Sequence, residues 1–275
     1  MSEQDNAAYV RAVHDKGFAF DRRRMLALLG GAAVTGAALW TGTDDAAAAA
    51  ACVAEVESET AGPFPADGSN GPDVRISNGI VRSDIRSSFG TSATVAPGVP
   101  LRFSLVVNDL SCNPLAGAAI YVWHCDRAGR YSLYSSGVTN ENYLRGIQVT
   151  DAAGKATFTS IFPACYAGRW PHIHFEVYSS LANATSGAGP IRKTSQIALP
   201  EAVADTVYAN ATGYSQSVTN MNRISLATDM VFGDDLAARE MATVTGSVAA
   251  GYVATLAVTV DPTKTETGGG PRPSA

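Results

Sequence analysis

The sequence predicts an all-β domain built as a β-sandwich, and three observations carry that expectation. Leu101, Phe103, Leu105 and Val107 alternate with their neighbours, the period of a half-buried strand. Turn signals recur between short apolar runs, at Asn113-Pro114, Asp126–Gly129, Asp151–Gly154 and Gly187–Pro190. Beyond residue 51 no long stretch shows the apolar spacing of a helix. Many short strands with regular turns specify a sandwich or barrel-like core.

Taken in order, residues 1–51 read as an address and not as fold. Asp21-Arg22-Arg23-Arg24-Met25-Leu26 opens an apolar, Gly- and Ala-rich run that ends near Trp40, and small residues follow at Ala46–Ala51. The run is short of the roughly 20 apolar residues a membrane span needs. Adjacent arginines, a short apolar centre and a small-residue stretch are the layout of a twin-arginine export signal. The protein is therefore expected to work outside the cytoplasm, with no stable membrane span after processing. Residues 52–265 form the expected domain. Glu55 to Pro97 is rich in Gly, Pro, Ser and Asp, which predicts an irregular N-terminal arm. Strands are expected around Leu101–Val107, Ala119–Trp123, Lys155–Phe162, His172–Tyr178, Thr194–Ala198, Met241–Val248 and Tyr252–Val260. Residues 266–275 read as a flexible tail.

Composition narrows the function. The 275 residues are 46% hydrophobic and 16% charged, against about 25% charged in ordinary globular chains, which excludes a charged disordered chain. Lys plus Arg number 20 and Asp plus Glu 25, a net charge of −5. With no basic excess to neutralise phosphates, nucleic acid is not an expected partner. Cys52, Cys112, Cys125 and Cys165 are an even set, expected to pair in an oxidising compartment with three connectivities open.

The most informative segment is Tyr166-Ala167-Gly168-Arg169-Trp170-Pro171-His172-Ile173-His174-Phe175-Glu176-Val177-Tyr178. On a strand, Ile173, Phe175 and Val177 share one face and belong to the core, while His172 and His174 share the other, about 7 Å apart at the backbone. Two imidazoles on one face can chelate one metal. Cys165, Glu176 and Tyr166 are the candidates to complete such a site. A phenol ionises at neutral pH only beside a strong Lewis acid. Tyrosine ligation therefore points to a hard, highly charged cation such as Fe(III), whereas Zn(II) and Cu(I) favour imidazole and thiolate.

These residues resemble the iron-binding segment of the intradiol ring-cleavage dioxygenases, the non-haem Fe(III) enzymes that split catechols between the two hydroxyl-bearing carbons. Pro114–Ala118, Val122-Trp123-His124-Cys125-Asp126 and Ala128-Gly129-Arg130-Tyr131-Ser132 are similar to that family's first tyrosine-ligand region. Leu144-Arg145-Gly146-Ile147-Gln148-Val149-Thr150-Asp151 with Gly154–Phe158 matches a further stretch, and Thr60–Phe64 its Gly-Pro-aromatic start. The likeness runs from about Cys52 to Gln196. It implies Tyr131, Tyr166, His172 and His174 as ligands of a non-haem Fe(III), with Tyr166 the ligand that leaves when substrate binds. It also implies Arg169 as the group stabilising charge on the substrate and Gln196 as a neighbour of the substrate. Tyr134 and Tyr143 stand as alternatives to Tyr131, and His124 reads as structural.

The implied activity is cleavage of a small aromatic diol by O2 to a cis,cis-muconate-type diacid. The fold implied is the β-sandwich of that family with long irregular loops. Where family members often carry Gly, this chain has Ala164 or Cys165, and no helical N-terminal dimer segment is present, so an exported single-chain form is the best fit. A homo-oligomer is compatible with the sequence. Two rival expectations use other chemistry: a non-catalytic transthyretin-like or Ig-like binding sandwich, and a zinc or copper protein that uses Cys165.

Overall fold

The computed structural model describes residues 54–266. The expected export segment, Cys52 and the tail beyond Glu266 lie outside the described residues. Eight strands form two four-stranded sheets: β1 (Pro100–Asn108), β2 (Ala119–Trp123), β3 (Arg145–Val149), β4 (Lys155–Ile161), β5 (His172–Tyr178), β6 (Ile191–Ala198), β7 (Thr243–Ser247) and β8 (Gly251–Thr259). One sheet runs β4-β1-β8-β7 and the other β3-β2-β5-β6. All pairings are antiparallel except β1 with β8, which is parallel with Leu101 opposite Tyr252.

The sandwich interior follows the alternation read from the sequence. Leu101, Phe103, Leu105 and Val107 of β1 and Ala254, Leu256 and Val258 of β8 meet Ile120 and Val122 of β2 and Ile173, Phe175 and Val177 of β5. A second apolar layer covers the far face of the second sheet. There Tyr121, Trp123, Ile147 and Tyr178 pack under Phe64, Ala66, Val74 and Ile80 of the arm and under Tyr131. Strands β2 and β5 are in consequence buried along their whole length. Residues on their outer face are shielded from water although they do not belong to the sandwich core.

Four differences from the sequence reading stand out. The sequence does not mark β3 as a strand, because only Ile147 and Val149 alternate and Gly146 precedes them; a Cβ at Gly146 would sit 2.5 Å from Ile85 Cγ2, so only glycine fits there. Short helices are present: α1 (Leu181–Thr185), α2 (Glu201–Asn210) and α3 (Ser215–Met221). Only Ala204, Val207 and Tyr208 of α2 are buried, a stripe too brief to register as periodicity. The full pairing of cysteines fails. Cys112 is disulfide-bonded, but Cys125 and Cys165 are free and buried, their thiols turned to the Ala164 and Arg169 carbonyls at 3.5 and 3.4 Å. Glu266, assigned to the tail, is bonded into β6, accepting from the Thr194 N–H at 2.6 Å. No helix among the described residues is long and apolar enough to cross a membrane.

Candidate metal centre

Strand β5 sets the two imidazoles. The β pleat points His172 and His174 to the covered face, where both are buried, and their Nε2 atoms lie 3.1 Å apart. His172 Nδ1 is 2.5 Å from the Trp170 carbonyl. A carbonyl only accepts, so Nδ1 carries the proton and Nε2 offers a lone pair. His174 is fixed differently: its ring stacks on Trp123 of β2, centroids 4.9 Å apart and 3° from parallel. Gly62 of the arm closes over it, and a Cβ there would stand 3.3 Å from His174 Cε1.

Tyr131 follows a turn that Asp126 shapes by accepting from the Ala128 and Arg130 N–H groups at 2.8 and 3.0 Å. Its ring packs on Phe64, centroids 4.8 Å apart. Tyr166 comes from the loop before β5 and is partly exposed. The two phenol oxygens lie 3.3 and 3.2 Å from His172 Nε2 and 3.5 Å from each other. Donors at about 2.0–2.2 Å from a shared cation stand about 3 Å apart around it, which matches these separations.

The hydrogen-bond count makes the same point. Two phenols, the His174 nitrogen and the Arg169 guanidinium at 3.5 Å all converge on the single lone pair of His172 Nε2. One lone pair cannot serve four groups, whereas a cation shared by the two phenol oxygens and the two imidazole nitrogens satisfies those four donor atoms and leaves the guanidinium to Asp229 and Gln196. Burial holds both phenols above their usual range. Burial, with the Arg169 charge, depresses His172 to about 3, and burial with His172 depresses His174. Two phenols and two imidazoles are a donor set that ionises tyrosine only beside a strong Lewis acid. The residues fit a hard trivalent cation.

Arg169 is buried beside this cage. Its Nε donates to Asp229 Oδ2 at 3.0 Å and its Nη2 to Gln196 Oε1 at 2.6 Å; Gln196 Nε2 in turn donates to the Thr60 carbonyl at 2.8 Å. The structure brings together Tyr131, Tyr166, Arg169, His172, His174 and Gln196. Other candidates fall away. Tyr134 bonds Asn70 and Tyr143 bonds Asp126. His124 joins Ser160 and the Cys125 carbonyl. Glu176 accepts from the Tyr178 hydroxyl at 2.6 Å, and burial pushes the Cys165 thiol up to about 12. Sequence reasoning missed Asp229, 2% exposed, whose carboxylate also accepts from the Trp170, Val231 and Phe232 N–H groups. No local motif marks it, since it lies sixty residues from its partner. Trp123 was read as packing, and it is packing applied to a donor imidazole.

Comparison with known proteins sets this geometry in context. A family model described as Dioxygenase matches residues 82–184. Chlorocatechol 1,2-dioxygenase of Rhodococcus opacus is 40% identical over 70 residues, 26% of this chain and 27% of that protein. Catechol 1,2-dioxygenase 2 of Acinetobacter lwoffii is 41% identical over 54 residues, 20% of this chain and 19% of that protein. The matches span about a quarter or less of the length of these curated relatives. An intradiol ring-cleavage dioxygenase from Tetranychus urticae shares the fold at a TM-score of 0.61 and 24% identity, over 78% of this chain and 98% of that one.

Proposed function

We propose that this chain is an intradiol ring-cleavage dioxygenase that cleaves a catechol-type ring with O2 between the hydroxyl-bearing carbons, a reading supported by the Dioxygenase family model over residues 82–184 and by the local identity to chlorocatechol 1,2-dioxygenase. The product is a cis,cis-muconate-type diacid. One observation carries the proposal: two phenol oxygens and two imidazole nitrogens, from a turn, a loop and one strand, meet within 3.1–3.5 Å of His172 Nε2 or of one another. A purely binding sandwich has no use for that convergence.

Tyr131, Tyr166, His172 and His174 are the residues that would hold Fe(III). Bound there, iron supplies Lewis acidity for the phenols and the diol and a redox partner for the ring and O2. The protein's own groups then divide the work. Tyr131 Oη and Tyr166 Oη carry negative charge that offsets the trivalent ion. Tyr166 is the more exposed phenol, so its Oη is the base that takes a substrate hydroxyl proton as the diol enters. Arg169 Nη1, 3.5 Å from His172 Nε2, stabilises negative charge developing on the substrate. Gln196 and Asp229 hold that guanidinium in place. Phe64, Gly62 and Trp123 close the covered side against water.

Oxygen uptake by iron-loaded protein with catechol, protocatechuate and hydroxyquinol tests the reading. The expected result is consumption of one O2 per ring, with diacid formed, for at least one of the three. Protein that retains iron yet consumes no oxygen with any of them overturns it. We also propose export through the twin-arginine route, supported by Arg22-Arg23-Arg24 ahead of the apolar run. Replacing Arg22 and Arg23 with Lys should leave the protein in the cytoplasmic fraction; unchanged export sinks that proposal.

A further inference from the structure

The loop that carries Tyr166 belongs to neither sheet, yet its backbone is partnered throughout from Phe162 to Cys165. The Phe162 N–H donates to the Val99 carbonyl at 2.8 Å and the Ala164 N–H to the Asp126 carbonyl at 3.3 Å, while the Cys125 thiol faces the Ala164 carbonyl. Side chains of α2, α3 and the turn between them take the remaining groups. Tyr208 Oη donates to the Pro163 carbonyl at 3.0 Å and Tyr214 Oη to the Phe162 carbonyl at 2.7 Å. Ser217 Oγ accepts from the Cys165 N–H at 3.1 Å, and Asn220 Nδ2 donates to the Cys165 carbonyl at 2.9 Å. All four of these side chains are buried. A loop whose backbone is satisfied by buried side chains cannot shift without stranding polar groups away from water.

The same helices reach the turn before the other phenol, but hold it less closely. Arg127 Nη1 donates to the Thr212 carbonyl at 3.3 Å through an exposed bond, four residues ahead of Tyr131. Cys165, in contrast, is held at both backbone groups, and Tyr166 is the very next residue. Past that point the hold relaxes. Tyr166 is only partly buried, and its carbonyl accepts from the Arg169 N–H at 3.2 Å across a turn in which Gly168 has φ +80°. A ligand that leaves and returns in every cycle needs this combination of a fixed origin and a free side chain.

We propose that Ser217 and Asn220 are positioning residues for Tyr166: by gripping the N–H and the carbonyl of Cys165 they fix the point from which the phenol departs and to which it returns. The proposal rests on the reading above, in which Tyr166 is the ligand that leaves. Metal–ligand bonds tolerate displacements of only about 0.2 Å, and a shift of about 1 Å in a reacting group can cost about a hundredfold in rate. A loop free to drift at Cys165 would exceed the first limit, so the departing phenol is anchored one residue away from its own motion.

The test compares Ser217→Ala and Asn220→Ala with Tyr208→Phe, which cuts a bond to the same loop at Pro163 and leaves the Cys165 grip intact. In iron-loaded protein the two grip variants should lose the share of the tyrosinate-to-iron visible band that Tyr166→Phe loses. Adding either of them to Tyr166→Phe should remove nothing more, since both changes then act on one ligand. Tyr208→Phe should lower the urea midpoint and keep the parent band. With catechol, kcat should drop about ten- to hundredfold in the grip variants. KM should stay level or fall, because a displaced phenol competes less with the diol. In metal-free protein the Cys165 amide should exchange with solvent at least about tenfold faster in Ser217→Ala than in Tyr208→Phe. Parent-like bands in both grip variants, or an equal loss in Tyr208→Phe, overturn the proposal and leave the catechol reading standing. A band that follows Ser217 and Asn220 in protein that turns over no catechol supports the grip and overturns the reaction.

Discussion

Tyr131 holds its phenol oxygen 3.3 Å from His172 Nε2 in a fully covered position, and its role there separates cleanly from its packing on Phe64. In Tyr131→Phe the ring contact survives and the donor is lost. Iron retention against a chelator should fall by more than about a hundredfold, since even partners one bond removed from a metal cost ten- to hundredfold. The tyrosinate-to-iron visible band should also lose most of its intensity; an unchanged spectrum with full iron content contradicts the assignment. Asp229 acts through Arg169. Asp229→Asn keeps the shape but removes the charge that fixes the guanidinium and replaces one of two accepting oxygens with a donor, so kcat should drop about ten- to hundredfold with iron content and KM little changed. A loss confined to stability, with kcat intact in the folded fraction, shows a purely structural carboxylate. Asp229→Ala is the harsher change and should cost about 3–5 kcal/mol in urea unfolding, because it strands a buried guanidinium.

Among the elements, the arm matters more than its irregularity suggests. Gly62 has φ +67° and sits over His174. Gly62→Ala places a Cβ against the imidazole and forces a left-handed alanine, a cost of roughly 1–2 kcal/mol. Lower urea midpoints together with looser iron binding are expected; normal iron retention means the arm only covers the site and does not shape it. Arg145 of β3 joins the arm to the Tyr131 turn by donating to the Pro65 carbonyl and to the Ser132 carbonyl, both at 3.0 Å. A fully buried guanidinium is thereby spread over backbone carbonyls of two irregular segments, which gives the loops the rigidity that a metal cage requires. Strand β2 contributes through Trp123, whose stacking on His174 fixes the ring plane that no hydrogen bond at Nδ1 fixes.

Over the whole molecule, buried carboxylates tie stability to pH. Burial and neighbouring acids push Glu240 up to about 7 and Glu59 up to about 8, from an ordinary value of 4.5. A carboxyl raised in the folded state binds its proton more tightly than the unfolded chain does. Its contribution is therefore fully present below about pH 4.5 and is lost as pH rises towards about 8. For metal-free protein the Glu240→Gln variant should flatten the decline in urea midpoint between pH 5 and pH 8.5. Parallel curves for the variant and the parent refute that source of the dependence. Lys193 closes the fold elsewhere: buried, it reaches Glu55 at 3.0 Å and Glu266 at 3.2 Å, drawing both ends of the described chain onto β6.

Local pattern was enough for the sandwich class, for most of the strands and for the pair of imidazoles on one face of β5, because side-chain alternation and turn residues act over a few neighbours. The likeness in sequence supplied Tyr131, Tyr166, Arg169 and Gln196 as well. What only the folded chain decided were relations between distant segments. Asp229 closes on Arg169, Gly62 on His174, and Trp123 on the same imidazole; Cys125 and Cys165 stay apart from any bridge inside apolar packing. Each of these depends on which surfaces are driven together when apolar area leaves water, a long-range outcome that no window of neighbouring residues encodes.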